Sequence, residues 1–462
     1  MTSDLSRRAF LKRASALSLA GAATPFVMNL AAMGEAAAAT ATDYKALVCV
    51  FLYGGNDYAN TLVPNDNTQY GIYQAQRPGL AYAQSALTAT ALTPSVPLPN
   101  GAQYALAPEL AKLLPLFNAG NLAVLLNAGT LVQPTTKAEY QAHVSLPPKL
   151  LSHNDQQSYW QASSPEGAAS GWGGRIGDLL QSGNGTATLT CINVTGNAAF
   201  LTGQAAVQYS VTPAGPIALN ARTSLQGSTA AASLLQSLIS GGGTHEFEAA
   251  LGSIGARALD LYSQVSAALG QAPVTTTVFP TAADPQSSLG AQLQLVAKLI
   301  SVSSQLGAKR QVFFVSTGRY DTHAGLVTLH PTLLTNLADA LRAFYDTTVE
   351  LGVASQVTTF TGSDFGRALT ANNDGTDHGW GSMHFVLGGA VGGGRYYGIN
   401  PTLANGGPDD IGQGRLIPTL SVDQYAATLA SWFGVSNSDL ATVVPNIGNY
   451  AGSALGTNVG FV

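Results

Sequence analysis

The chain has 462 residues, of which 46% are hydrophobic and only 10% charged, and its formal net charge is −5. Typical soluble domains carry about 25% charged residues, so Ser, Thr, Asn, Gln and Gly must cover much of this surface. The 20 Lys and Arg residues form no basic patch, and this excludes the usual signature of a nucleic-acid-binding protein.

The first 39 residues predict an export signal. An arginine pair opens the segment Arg7–Leu11, an apolar run covers Ala14–Ala32, and small residues end at Ala37–Ala39. This order is typical of a twin-arginine signal peptide, and polar interruptions make the run a poor permanent membrane span. We therefore expect residues 1–39 to be removed, the twin-arginine translocase to be a transient partner, and the mature protein to be periplasmic or secreted.

Residues 40–462 alternate short apolar runs with helical patterns, as a single α/β domain would. Near-continuous apolar runs are typical of buried parallel strands, so we expect a mostly parallel central sheet with helices on both faces. Low charge and abundant Ala, Ser and Gly near residues 201–286 predict an insertion or cap rather than a sheet element. The predicted strands are Ala46–Tyr53, Leu122–Leu126, Thr188–Val194, Val312–Ser316, Val357–Thr361 and His384–Gly389. The predicted helices are Ala107–Asn118, Gly174–Leu180, Glu246–Leu269, Gly290–Leu306, Thr332–Leu351 and Val422–Phe433.

The two cysteines, Cys49 and Cys191, lie inside apolar runs and have no Cys or His at zinc-ligand spacing. They are either two buried small hydrophobic residues or one disulfide in an oxidising compartment.

Ligands of open α/β sheets bind beyond the carboxyl ends of the strands, and polar residues follow three predicted strands. Asn56 and Asp57 follow the first, behind two glycines, where a simple turn is the alternative. Asp321 and His323 follow Val312–Ser316, and an acid and an imidazole at this spacing can share zinc, manganese or iron. His330, a little further on, is predicted to cap a helix or lie on the surface.

A third loop begins with Asp364 and Arg367, continues to Asp377 and His378, and leads to His384. Each of these residues alone could form a turn or a buried polar pair. Four of the seven histidines fall in these regions or near residue 153, and in a chain so poor in charge this concentration indicates a functional site.

A fourth cluster places Ser152, His153 and Asp155 within four residues. Ser152 is a candidate nucleophile activated by a metal, and the alternative is an N-cap residue of a short helix.

Taken in order, these motifs resemble the bacterial family called domain of unknown function 1501, which is sulfatase-like and similar in fold to the alkaline phosphatase superfamily. The motifs span nearly the whole chain: FLYGGNDYANTLVP, LSHNDQQSYWQ, GWGGRIGDLL, STGRYDTHAGL and SDFGRALTANNDGTDHGWGSMHF. The resemblance implies a metal-dependent hydrolase of phosphate or sulfate esters, with a small anionic ester or a glycan as substrate. It also implies one or two divalent metal ions, such as zinc, manganese or calcium.

Carried over by position, the resemblance implies metal ligands at Asp57, Asp321, His323, Asp364 and His378, and Asp377 and His384 are further candidate ligands. It makes Ser152 and His153 the catalytic candidates, and we expect Asn56 and Arg367 to bind the substrate. Phe365 stands where the superfamily commonly has a histidine, and Asp377 or His384 would have to replace that ligand. No Cys-x-Pro-x-Arg motif is present, so the sulfatase label describes the fold. A non-catalytic envelope protein that binds a glycan or a protein partner is therefore the alternative.

Overall fold

The computed structural model describes residues 43–196, 198–220, 223–242, 245–281 and 288–462. The predicted signal peptide lies outside the described residues. None of the described helices is both long and apolar enough to cross a membrane.

The described strands form one large sheet and two small ones. The strands are β1 Lys45–Leu52, β2 Leu62–Pro64, β3 Tyr104–Leu106, β4 Leu122–Gly129, β5 Cys191–Asn193, β6 Tyr209–Thr212, β7 Gly215–Pro216, β8 Arg310–Thr317, β9 Val357–Ser363, β10 Arg367–Ala371, β11 Thr376–His378, β12 Ser382–Leu387, β13 Tyr396–Tyr397 and β14 Leu420–Ser421. The large sheet has the order β13-β4-β12-β9-β1-β8-β5-β6-β7, and β14 also pairs with β4. Its central strand β1 runs parallel to both neighbours, β8 and β9, whereas β12 is antiparallel to β4 and β9.

Helices cover both faces of this sheet. They are α1 Asn67–Gln76, α2 Leu114–Asn118, α3 Lys137–Gln141, α4 His153–Ala162, α5 Trp172–Leu180, α6 Thr229–Ser240, α7 Glu246–Leu269, α8 Leu289–Ser301, α9 Leu326–Glu350, α10 Val422–Phe433 and α11 Leu440–Val443. Alternate residues of β1 face opposite sides: Val48 and Val50 join the apolar core with α8 and α9, while Leu47 and Phe51 join the core with α5 and α10. Burial on both faces explains the continuous apolar run of β1. The predicted fold class, a mostly parallel α/β sheet between helices, is confirmed.

The structure corrects the prediction for the segment near residues 201–286 and decides between the two alternatives for the cysteines. The segment predicted to contain no sheet element supplies β6 and β7, which extend the sheet beyond β5, before the helical hairpin α6–α7 begins. Short strands of two to four residues leave too little pattern to detect. Cys49 and Cys191 are both buried and free, so they act as small hydrophobic residues in the core.

Candidate metal centre

The site lies where β9, β1 and β8 end side by side. Asp321 follows β8, Asp364 follows β9, and Gly54 follows β1 between them. Gly54 has a φ of +115°, and a Cβ there would lie 2.4 Å from the backbone nitrogen of Asp321. Its own N–H donates to Asp364 Oδ2 at 3.1 Å. Only glycine permits this close approach, and it brings the two acidic loops together.

Three imidazoles converge on one carboxylate. His153 Nε2 lies 3.3 Å from Asp321 Oδ2, and both His323 Nε2 and His378 Nε2 approach Asp321 Oδ1, at 3.2 and 3.1 Å. The Nε2 atoms of His323 and His378 are 2.9 Å apart. We call these four residues the Asp321 cluster. Three of them, His153, Asp321 and His378, each place one ligand atom within 4.8 Å of the other two, so these three could share a metal ion, with His323 beside them.

The second ring nitrogen of each histidine faces an acceptor. His153 Nδ1 lies 2.7 Å from Asp364 Oδ2, His378 Nδ1 lies 2.8 Å from the Leu151 carbonyl oxygen, and His323 Nδ1 lies 3.5 Å from Asp377 Oδ1. Histidines that bind metals almost always donate their other N–H to a carboxylate or carbonyl, which fixes the tautomer and turns the free nitrogen towards the ion. His153 and His378 have this arrangement, and His323 makes a longer contact of the same kind with Asp377.

Helix α4 presents His153 to the site. His153 is its first residue, and Gln157, one turn later on the same helical face, donates to Asp364 Oδ2 at 2.8 Å. The Asp364 carboxylate therefore lies at the positive N-terminal end of α4. Ser152 occupies the N-cap position, but its Oγ donates to Asp155 Oδ2 at 2.9 Å rather than capping a backbone amide.

Arg367 orients the central carboxylate. Its side chain is fully buried, and its guanidinium donates to Asp321 Oδ1 at 2.8 Å and to the Gly54 carbonyl oxygen at 3.1 Å. Burial acts to raise the pKa of Asp321, but the hydrogen bond and charge of Arg367 outweigh it and the pKa is lowered. Asp321 is therefore an anion at neutral pH, the form that binds a metal.

The imidazoles respond differently to their surroundings. The hydrogen bond to Asp364 is the main cause that raises the pKa of His153, whereas burial lowers the pKa of His378. A neutral imidazole is the form that binds a metal, so the burial of His378 favours this form.

Two predicted ligands have other partners. Asp57 and Arg77 form a fully buried ion pair, with Nη1–Oδ2 at 2.5 Å and Nη2–Oδ1 at 2.8 Å. The structure thus gives Asp57 a contact that stabilises the fold in place of the expected metal contact. His384 is buried beside Trp160, its Nδ1 3.4 Å from Thr361 Oγ1, outside the Asp321 cluster. Burial lowers the pKa of His384 to about 3.

Asp364 and Asp377 were expected to be metal ligands. Each instead faces the Nδ1 atom of a histidine in the Asp321 cluster, so it contacts a candidate ligand rather than the metal position. Asn56 and Arg367, the expected substrate-binding residues, are both buried. Asn56 donates to Thr61 Oγ1 at 3.0 Å, and its Oδ1 lies 3.0 Å from His330 Nε2. The geometry gives both residues contacts within the fold rather than towards solvent.

The prediction that His330 caps a helix or lies on the surface is wrong. It is fully buried within α9, where burial lowers its pKa to about 4. A single histidine has no pattern that distinguishes these positions.

Phe365 contacts the cluster from the side. Its ring centroid lies 4.9 Å from that of His153 and 4.6 Å from that of His378. Gly55, at a φ of +82°, leaves room for the ring, since a Cβ there would come within 2.5 Å of it. Phe365 therefore holds two imidazoles in place but offers no ligand atom of its own.

Sequence reasoning missed several contributors. Gln157 could have been found from its spacing of four residues after His153 on one helix face. Two further contributors have no recognisable sequence pattern. One is the Leu151 carbonyl, a backbone acceptor, and the other is Arg415, whose Nε donates to the His378 carbonyl oxygen at 2.7 Å. Arg319 is exposed, has a φ of +74°, and has no hydrogen-bond or ion-pair partner in the described parts of the chain.

The fold and the site define an α/β protein with a group of histidine and aspartate side chains that could hold a metal ion. The chain belongs to the family described as Protein of unknown function (DUF1501), whose family profile matches residues 44–443. No curated protein matches the chain.

Among solved structures, the chain is similar to the PsFucS1 sulfatase from Pseudoalteromonas sp., at 11% identity and a TM-score of 0.34, covering 90% of this chain and 72% of that one. It is also similar to the lipoteichoic acid synthase LtaP from Listeria monocytogenes, at 9% identity and a TM-score of 0.30, covering 89% of this chain and 80% of that one.

Proposed function

We propose that the protein is an exported metal-dependent hydrolase of phosphate or sulfate esters that uses one metal ion at the Asp321 cluster. The observation that supports this most is the outer ring of acceptors, Asp364, Asp377 and the Leu151 carbonyl, which turns three Nε2 atoms towards one carboxylate. Histidines that bind metals typically carry such a partner on the ring nitrogen that faces away from the ion.

The donor set favours zinc over calcium. Calcium takes six to eight oxygen ligands, whereas three of the four donors here are imidazole nitrogens, which suit zinc. One ion rather than two is supported because Asp57 is paired with Arg77 and Asp364 with His153.

The chain's own residues have separate tasks in this proposal. Arg367 holds the Asp321 carboxylate, and Asp364 holds the His153 ring. The metal would act as a Lewis acid on a phosphoryl or sulfuryl oxygen. Asp321 and His323 leave 41% and 46% of their side chains exposed, so an ester can approach from solvent. Arg319 offers an exposed guanidinium two residues before Asp321, which suits an anionic ester.

The nucleophile remains a prediction. Ser152 directly precedes His153 of the Asp321 cluster, and it follows Leu151, whose carbonyl oxygen lies 2.8 Å from His378 Nδ1. Asp155 accepts the Ser152 hydroxyl hydrogen, and this carboxylate is a candidate base for it.

The test is metal analysis of the purified protein, followed by turnover of aryl phosphate and aryl sulfate esters with added zinc or manganese. His378→Ala should abolish stoichiometric metal binding and turnover together. His143→Asn is the matched control, because His143 is exposed outside the Asp321 cluster and asparagine tolerates its φ of +55°. Wild-type protein that binds no zinc or manganese would refute the proposal.

The alternative is an envelope protein of the same fold that binds a glycan or protein partner without catalysis. Phe365, packed against two imidazoles where the superfamily commonly has a ligand, favours it. Stoichiometric metal with no ester turnover, combined with saturable binding of a glycan, would support this function instead.

A further inference from the structure

Helices α6 and α7 pack closely as an antiparallel hairpin. A Cβ at Gly252 would lie 2.2 Å from the Gly241 carbonyl oxygen, and one at Gly255 would lie 2.3 Å from that of Ile239. These glycines allow the two backbones to touch, so the hairpin has its own packed interface. Leu261 and Val265 of α7 pack in the main core, but several other large apolar side chains of the two helices remain exposed.

Five large hydrophobic side chains project from this hairpin into solvent. On α7, Phe247, Leu251 and Ile254 follow the i, i+4, i+7 spacing of one helix face and are 80%, 69% and 59% exposed. On α6, Leu234 and Leu238 are 62% and 70% exposed. We call these five residues the hairpin face. Such a stripe normally packs against another surface.

Side chains of α6 and α7 lie on one common surface. Leu238 of α6 and both Leu251 and Ile254 of α7 line a common groove. The two apolar stripes therefore meet, and a partner that contacts one helix would contact both.

The charges of the hairpin favour a second copy of this chain over a membrane. Within α6 and α7, Arg257 is the one basic residue against the acids Glu246, Glu248 and Asp260. Helices that lie on anionic membranes carry several Lys or Arg residues on their polar side. This net negative hairpin would be repelled by such lipids.

The same charges can form ion pairs between two copies of the chain that are related by a two-fold axis. Glu246 and Arg257 are eleven residues apart, about three helical turns, so they lie along the same edge of α7. Their midpoint along the helix axis falls at the level of Leu251. If two α7 helices meet antiparallel at Leu251, Glu246 of each copy lies opposite Arg257 of the other. A two-fold axis repeats that pair and buries both apolar stripes.

We propose that two copies of the chain associate through the hairpin face, with their α6–α7 hairpins forming an antiparallel four-helix bundle. The proposal is independent of the metal centre. The groove along Leu238, Leu251 and Ile254 is then filled by the same residues of the second copy.

The test is analytical ultracentrifugation of the purified protein. We expect a dimer in the wild-type protein and about 100-fold weaker association for Leu251→Glu, because symmetry removes one buried leucine from each side. Val349→Glu is the matched control, since Val349 is an exposed apolar residue of another helix, α9. Far-UV circular dichroism confirms that each variant keeps its helices.

A charge exchange tests the geometry. Glu246→Arg should weaken the dimer by placing two arginines opposite each other, and Glu246→Arg combined with Arg257→Glu should restore it. A wild-type monomer at micromolar concentration would overturn the proposal, as would binding of that monomer to phosphatidylglycerol vesicles. Failure of the double exchange to restore the dimer would overturn the antiparallel pairing at Leu251.

Discussion

Replacing Asp57 by Asn separates a role in stability from a role in metal binding. The Arg77 guanidinium is fully buried and donates to both oxygens of Asp57, and also to Asn60 Oδ1 and the carbonyl oxygens of Ala368 and Leu369. Without the Asp57 charge, three neutral acceptors must hold a buried cation. Breaking a buried pair on one side costs about 3–5 kcal/mol, and the remaining acceptors place our expectation near the lower value, about 3 kcal/mol of unfolding free energy.

Urea unfolding of wild-type and Asp57→Asn protein, together with zinc stoichiometry, measures both properties. The Arg77 charge opposes burial and lowers the pKa of Asp57 in the fold. The stabilisation is therefore present above the unfolded pKa near 3.8 and is lost as the pH falls through the lower folded pKa. The difference between the two proteins should be full at neutral pH and shrink in acid. Loss of zinc from a stably folded Asp57→Asn protein would refute this reasoning and return Asp57 to the ligand set.

Three further predictions follow from individual contacts. Asp364→Asn removes the charge that holds His153 Nδ1 and should lower zinc affinity about 10- to 100-fold in a chelator competition, with unchanged stoichiometry at saturating zinc. Gly54→Ala should destabilise the protein by more than about 1 kcal/mol and weaken zinc binding, because its Cβ meets the Asp321 backbone; unchanged thermal unfolding would contradict this. Burial raises the pKa of Asp423 to about 6, so stability should fall as the pH rises from about 4 through 6, by up to about 3 kcal/mol. Asp423→Asn should flatten that pH profile in urea unfolding, and a profile identical to wild type would count against the assignment.

The sequence by itself determined the central parallel strands of this protein and the loops that follow them. The apolar runs of β1, β8 and β9 predicted buried parallel strands, and the ends of parallel strands meet at one edge of a sheet. Asp321 and His323 could therefore be placed near Asp364 from the residue pattern alone. The motifs also indicated the family that the profile match shows.

Only the tertiary structure decided which side chain meets which. Asp57 and Asp364 both follow strands, yet one pairs with Arg77 beyond α1 and the other accepts hydrogen bonds from α4. Helices α1 and α4 are short, polar segments with weak apolar periodicity. Sequence patterns therefore did not reveal that Arg77, after α1, and His153, on α4, would contact these two carboxylates. Spacing along the chain fixes which loop a residue occupies, but the partner of a buried charge comes from a distant segment whose position depends on packing of the whole sheet.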